Sequence, residues 1–120
     1  MKELTKAEEE IMHWLWKLEE ATVATIIAQM PEPKPAYNTV STIIRILENK
    51  GVVGYRKQGR GHIYFPMVRK EAYSKFSLRK LVDNYFDGSA KSLLSFFVQK
   101  NDMSVTELEE ILNEINKEKD

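Results

Sequence analysis

Asn38, Thr39, Ser41, Thr42 and Arg45 fall within eight consecutive positions, and their side chains are of the kinds that grip and read nucleic acid. Short hydroxyl and amide groups at the start of a helix can approach phosphates closely, and the helix N-terminus itself favours an anion. An arginine one turn further on can donate paired hydrogen bonds to O6 and N7 of guanine. A second set follows: Arg56, Lys57, Arg60 and His62, punctuated by Gly59 and Gly61. Such groups suit a phosphate backbone, and each phosphate neutralised adds about −0.9 to the slope of log affinity against log salt.

The charge distribution supports this reading, although the total does not. The chain has 18 basic and 18 acidic residues, a formal net charge of zero. Residues 36–70 carry seven basic groups against Glu48 alone, a net of +6, while the segments before and after each carry −3. No acidic residue interrupts positions 49–70. Charge confined in this way makes a local field that can steer an anionic partner to one face.

Other chemistries find no comparable constellation. Cysteine is absent, which removes disulfides, thiolate metal sites and a cysteine nucleophile. Glu9 and His13 stand four apart and could share a metal on one helix face, but the other histidine, His62, lies in the basic segment. A solvated pair is the expected reading there. No serine sits in a nucleophile elbow, and no glycine-rich phosphate loop occurs. The chain is expected not to be an enzyme and to need no metal or cofactor.

The elements that position these groups can be read from period and punctuation. Thr5 and Glu8 fit a capping box, followed by an apolar stripe of Ala7, Ile11, Trp14, Leu15 and Leu18, with Glu8 left towards water. Trp16 lies off that stripe and is expected against the hairpin or the helical tail. A short helix starts at Thr22 with Val23, Ile26, Ile27 and Met30 inward, and Pro31, Pro33 and Pro35 stop it. A third helix is expected from Asn38 as N-cap, buried through Val40, Ile43, Ile44 and Leu47 and closed by Gly51. The period then changes. Val52–Lys57 and His62–Pro66 read as strands joined by a glycine turn with Arg60 at its tip. Helix, helix, helix and a basic hairpin is the order of a winged helix-turn-helix.

From Arg69 the pattern is helical again, broken at Asp87-Gly88, restarted at Ser89, and restarted once more by Ser104 with Glu107. This region is too short to enclose a core of its own. Phe76, Leu81, Val82, Tyr85, Leu93, Leu94, Phe97, Leu108, Ile111, Leu112 and Ile115 must be covered by the first domain or by a second copy. A dimer is the preferred expectation, since a two-fold DNA reader needs such an interface.

The residues also resemble a known family. Leu4-Thr5-Lys6-Ala7-Glu8 through Ile11-Met12-His13-Trp14-Leu15-Trp16, then Asn38 through Gly51, Ile63-Tyr64-Phe65-Pro66 and Lys91-Ser92-Leu93-Leu94 are similar to the penicillinase and methicillin-resistance repressors of the BlaI/MecI type. The resemblance implies a homodimer that binds a palindromic operator through winged helices and is held together by its C-terminal helices. It also implies release by proteolytic cleavage in those helices, triggered by a membrane-bound sensor metalloprotease. The segment matching the cut is Leu94-Ser95-Phe96-Phe97, without the asparagine the family implies. Ile46 stands where these repressors commonly carry arginine, with Arg45 one place earlier and about 100° around the helix. The copper-responsive branch uses C-terminal cysteines, which this chain lacks.

The sequence therefore predicts a mainly α protein with a small β-hairpin: a winged-helix DNA-binding domain over residues 1–68 and a helical dimerisation region over 69–120. The expected function is a cytoplasmic, sequence-specific transcriptional repressor whose partners are operator DNA, a second copy and the sensor metalloprotease. Insertion into the membrane is not expected, because no apolar run approaches the ~20 residues a spanning helix needs. The alternative is a winged-helix protein-interaction module without DNA binding, its basic hairpin meeting an acidic protein.

Overall fold

The computed structural model describes the backbone of residues 1–119 and the side chains as far as Asn113; the side chain of Ile115 lies outside the described residues. The elements run α1 (Lys6–Leu18), α2 (Val23–Gln29), α3 (Tyr37–Asn49), β1 (Val53–Gln58), β2 (Gly61–Pro66), α4 (Lys70–Tyr85), α5 (Ala90–Gln99) and α6 (Val105–Lys119). Among the described residues the chain is mainly helical with one antiparallel hairpin, as its sequence pattern predicts.

Helix α1 opens with the capping box. The Thr5 hydroxyl accepts from the Glu8 amide, and the Glu8 carboxylate accepts from the Thr5 amide at 3.0 Å. Glu8 does not face water, contrary to the sequence expectation, and is only 4% exposed. The reason lies 42 residues away: Lys50, the C-cap of α3, donates to both Glu8 oxygens and to the Glu3 carbonyl. Burial pushes the Glu8 carboxyl up, but its hydrogen bonds to Lys50 and Thr5 and the Lys50 charge outweigh that and hold it below its ordinary value. The buried stripe is Ile11, Met12 and Leu15, with Ala7 exposed. It is therefore rotated from the one read in the sequence.

Thr22 caps α2 through the Thr25 amide, at 3.1 Å. At its other end Lys34 folds back so that its ammonium donates to the Ile27, Ala28 and Met30 carbonyls at 3.0, 3.1 and 2.8 Å. A cation on those orphan carbonyls complements the negative end of the helix. The N-cap of α3 is Ala36, not Asn38. Ala36 is extended (φ −68, ψ 150), and its carbonyl already accepts from Thr39 and Val40, so helical turning begins before Asn38. Gly51 ends α3 in a Schellman motif at φ +79, with its amide on the Glu48 carbonyl and the Val52 amide on that of Leu47.

The hairpin pairs Val53 with Pro66 through to Gln58 with Gly61, leaving a loop of Gly59 and Arg60. Gly59 supplies the positive φ, +62, that a two-residue hairpin turn needs at its first position. Ala21 and Tyr64 exchange backbone hydrogen bonds of 2.9 and 2.8 Å, so the α1–α2 connection edges the sheet.

The chain divides into two compact units, Met1–Ser77 and Leu78–Asp120, with α4 passing from one into the other. In the first, α1, α2, α3 and the hairpin enclose a core whose most buried side chains include Ile11, Met12, Leu15, Ile26, Val40, Ile44 and Leu47. Tyr73 of α4 joins that core, and its hydroxyl accepts from the Leu4 amide and donates to Glu9, each at 3.1 Å. In the second unit Ser89 caps α5, Val82 and Leu93 are buried, and the Phe86 and Phe96 rings meet edge to face at 5.7 Å. Among the described residues no helix is long and apolar enough to cross a membrane.

Candidate nucleic-acid interface

The core fixes the rotation of α3. Val40, Ile44 and Leu47 point inward, which turns Asn38, Thr39, Thr42, Arg45, Ile46 and Asn49 to solvent and leaves Ser41 half-buried at the margin. Four of the five α3 residues singled out in the sequence thus share the open face. Asn38 sits within the first turn and not as its cap, so its amide side chain is not engaged as an N-cap.

Strand alternation sorts the hairpin residues into two sets. Tyr55, Lys57, His62 and Tyr64 share one face, with Lys57 opposite His62 and Tyr55 opposite Tyr64. The Tyr55 ring lies 4.7 Å from the His62 ring and 6.3 Å from that of Tyr64. Three residues of α3, Tyr37, Arg45 and Glu48, lie close enough to act on the Tyr64 hydroxyl. Burial pushes Tyr64 above the ordinary phenol value, Glu48, Tyr37 and Tyr55 add to that, and Arg45 opposes it. Of the two sets named from the sequence, Arg45 and His62 both act on Tyr64, Lys57 stands opposite His62, and one member lies on the far side of the hairpin.

That member is Arg56. It occupies the other face of β1, where its guanidinium donates to both oxygens of Glu20 at 2.6 and 2.9 Å. The guanidinium holds the Glu20 carboxyl below its ordinary value. Lys50 is likewise engaged, by Glu8. Two of the seven cations of the basic block are neutralised, whereas Arg45, Lys57 and Arg60 form no ion pair among the described residues. Arg60 projects at the hairpin tip, exposed.

Three exposed residues on these faces were not singled out by their spacing: Tyr37 at the first position of α3 (59% exposed), Ile46 (41%) and Tyr55 (47%). The signal for Ile46 and Tyr55 was present, in the helical period of α3 and the alternation of β1.

Glu9 and His13 have separate engagements. Glu9 accepts from Tyr73, and the His13 ring stands edge-on to Trp16 at 5.4 Å. Among the described residues no group of three or more histidine or carboxylate side chains could hold a metal. Trp16 donates its indole N–H to the Val68 carbonyl at 2.8 Å and lies against Tyr73, clasping the segment that links hairpin and α4.

Of the residues expected at a dimer interface, Phe76 is half-buried against the core of the first unit, and Val82 and Leu93 are buried. Leu108 is half-buried. Leu81, Tyr85, Leu94, Phe97, Ile111 and Leu112 are exposed, Tyr85 by 76%.

The sequence pattern of the penicillinase repressor family matches residues 4–117. The methicillin resistance regulatory protein MecI of Staphylococcus aureus (strain N315) is 28% identical over 116 residues, which span 96% of this chain and 94% of that protein. The penicillinase repressor of Bacillus licheniformis is 22% identical over 110 residues, 91% of this chain and 86% of that one. Among solved structures, the DNA-binding domain of the repressor BlaI superposes with a TM-score of 0.52 at 26% identity, covering 61% of this chain and 94% of that domain. Its winged helix is the fold expected here from the element order.

Proposed function

The chain belongs to the penicillinase repressor family, and from that premise we propose that it is a sequence-specific repressor that binds duplex DNA as a homodimer. Helix α3 enters the major groove with Asn38, Thr39, Thr42 and Arg45, and Ser41 lies at the margin of that contact. Lys57, His62 and Arg60 follow the adjacent backbone. Arg56 joins them only if it leaves Glu20. The observation that carries this reading is that Arg45, on the open face of α3, acts on Tyr64, which shares its hairpin face with Lys57 and His62, while Arg45, Lys57 and Arg60 form no ion pair among the described residues.

The homodimer and a palindromic operator rest on the family and on the apolar groups that the second unit leaves exposed. Leu81, Leu94, Phe97, Ile111 and Leu112 are side chains that a second copy would cover. Inactivation is by cleavage at Leu94-Ser95-Phe96-Phe97 in α5 by a membrane-bound sensor metalloprotease, acting on a cytoplasmic repressor.

Fluorescence anisotropy across a salt series tests the central claim, comparing the duplex upstream of the protein's own gene with a scrambled duplex. Tight, preferential binding with a steep negative salt slope is expected. Arg45→Ala should lose about 1–3 kcal/mol at one base position and relax specificity there. Weak and equal binding to both duplexes would favour the alternative, a protein-interaction module whose basic hairpin meets an acidic partner. Sedimentation at micromolar concentration tests the dimer.

A further inference from the structure

The open face of α3 is not chemically uniform. Successive residues turn about 100° around a helix, so Asn38, Arg45 and Asn49 fall along one ridge and Thr39, Thr42 and Ile46 along the next. The first ridge presents amides and a guanidinium. The second presents a methyl group at every position and ends in Ile46, which is wholly apolar and 41% exposed. A single exposed isoleucine is ordinary on a protein surface. Its position is not ordinary, because it shares the face that the DNA-binding reading turns towards base edges.

We propose that Ile46 is a specificity-determining residue that reads thymine through its C5-methyl group. Thymine carries a methyl group into the major groove, where apolar contact is itself a form of readout. Isoleucine in a helix is held to one dominant χ1 rotamer, so its methyl groups are presented in a fixed place and lose little freedom on contact. A guanine or cytosine at the same position would have O6 or N4 stripped of water against a side chain with nothing to offer it. Discrimination therefore acts twice, through attraction to the methyl and through an unpaired polar group on the wrong base. Arg45, about 100° away on the polar ridge, addresses a different base.

The inference rests on the DNA-binding reading, and one experiment separates the two. The full chain first selects its preferred sequence from a random duplex library. Each thymine of that sequence is then replaced in turn by deoxyuridine, which lacks only the methyl group. Anisotropy compares wild type with Ile46→Ala, a change at an exposed position whose folding is checked by thermal melting. Expected is at least one thymine whose uracil substitution weakens wild type about fourfold, the factor for one buried methyl, and leaves Ile46→Ala unaffected. A fresh selection with Ile46→Arg should exchange that thymine for guanine. If no thymine methyl couples to Ile46, the proposal is overturned and sequence-specific binding stands. If the library yields no enriched sequence, the DNA-binding reading falls and this proposal falls with it.

Discussion

Replacing Glu8 by alanine should destabilise the first unit far more than removing any other α1 carboxylate. Glu8 is 4% exposed and serves two partners: the Thr5 amide in the capping box, and the Lys50 ammonium at the far end of α3. Truncating one member of a fully buried ion pair costs about 3–5 kcal/mol, because the other is left charged and unpaired. Here the Lys50 side chain keeps 21% of its surface exposed, so its ammonium can regain some water and the penalty shrinks. The lost charged hydrogen bond to the cap partly restores the total. The net expectation is about 2–3 kcal/mol, or a fall of roughly 10–20 °C in Tm for a unit of this size. Trp14 and Trp16 are the only two tryptophans and both lie on α1, so intrinsic fluorescence during urea unfolding reports this unit directly. Glu10→Ala, at an exposed position of the same helix, is the control. The double variant Glu8→Leu with Lys50→Met should recover most of the loss, since removing both charges leaves neither stranded. Acid should act like the single variant. The folded carboxyl lies below its ordinary value, so the unfolded chain takes up the proton first as pH falls. The stabilisation is thus complete above about pH 5 and is lost as pH drops through the folded-state value. A loss below about 0.5 kcal/mol for Glu8→Ala, the range of an ordinary surface change, would refute the claim that this pair ties α1 to α3.

Two further outcomes follow from the hairpin and from the end of α3. Lys57→Ala should flatten the salt dependence of DNA binding by about one unit. Arg56→Ala should change it much less because Glu20 already holds that guanidinium, and Glu20→Gln should steepen it; equal slopes for the two alanine variants would show that Glu20 releases Arg56 on DNA. Gly51→Ala must place a side chain at φ +79 and should lower stability by about 1–2 kcal/mol. Gly61→Ala, whose added carbon meets nothing closer than 3.8 Å, should leave the melting temperature nearly unchanged.

What could be read in the sequence was local. The Thr5–Glu8 box, the Thr22 and Ser89 caps and the Gly51 terminus are each decided within a few residues, and each stands in the structure as its spacing implied. The period change after Gly51 located the hairpin for the same reason. The start of α3 was misread because Asn38 is a better N-cap by type than Ala36, whereas backbone geometry just after Pro35 decides where turning begins. Long-range pairing was beyond local rules. Nothing near Glu8 announces Lys50, and nothing near Arg56 announces Glu20, 36 residues earlier. Of the candidate site, the residue types were legible. Their division into a face beside α3 and a face against Glu20 needed the strand register.

The first unit's apolar core ends at Tyr73 apart from partly buried contacts no later than Phe76, whereas the segment proposed for cleavage lies in α5. A cut there removes none of the side chains of that core. In the proposed dimer it would leave two intact heads that can no longer search DNA as a tethered pair. Tethering raises the effective concentration of the second head and can multiply overall avidity by about 10²–10⁴ without any new contact. Severing it would silence the protein by lowering its valency, with every base contact still chemically competent.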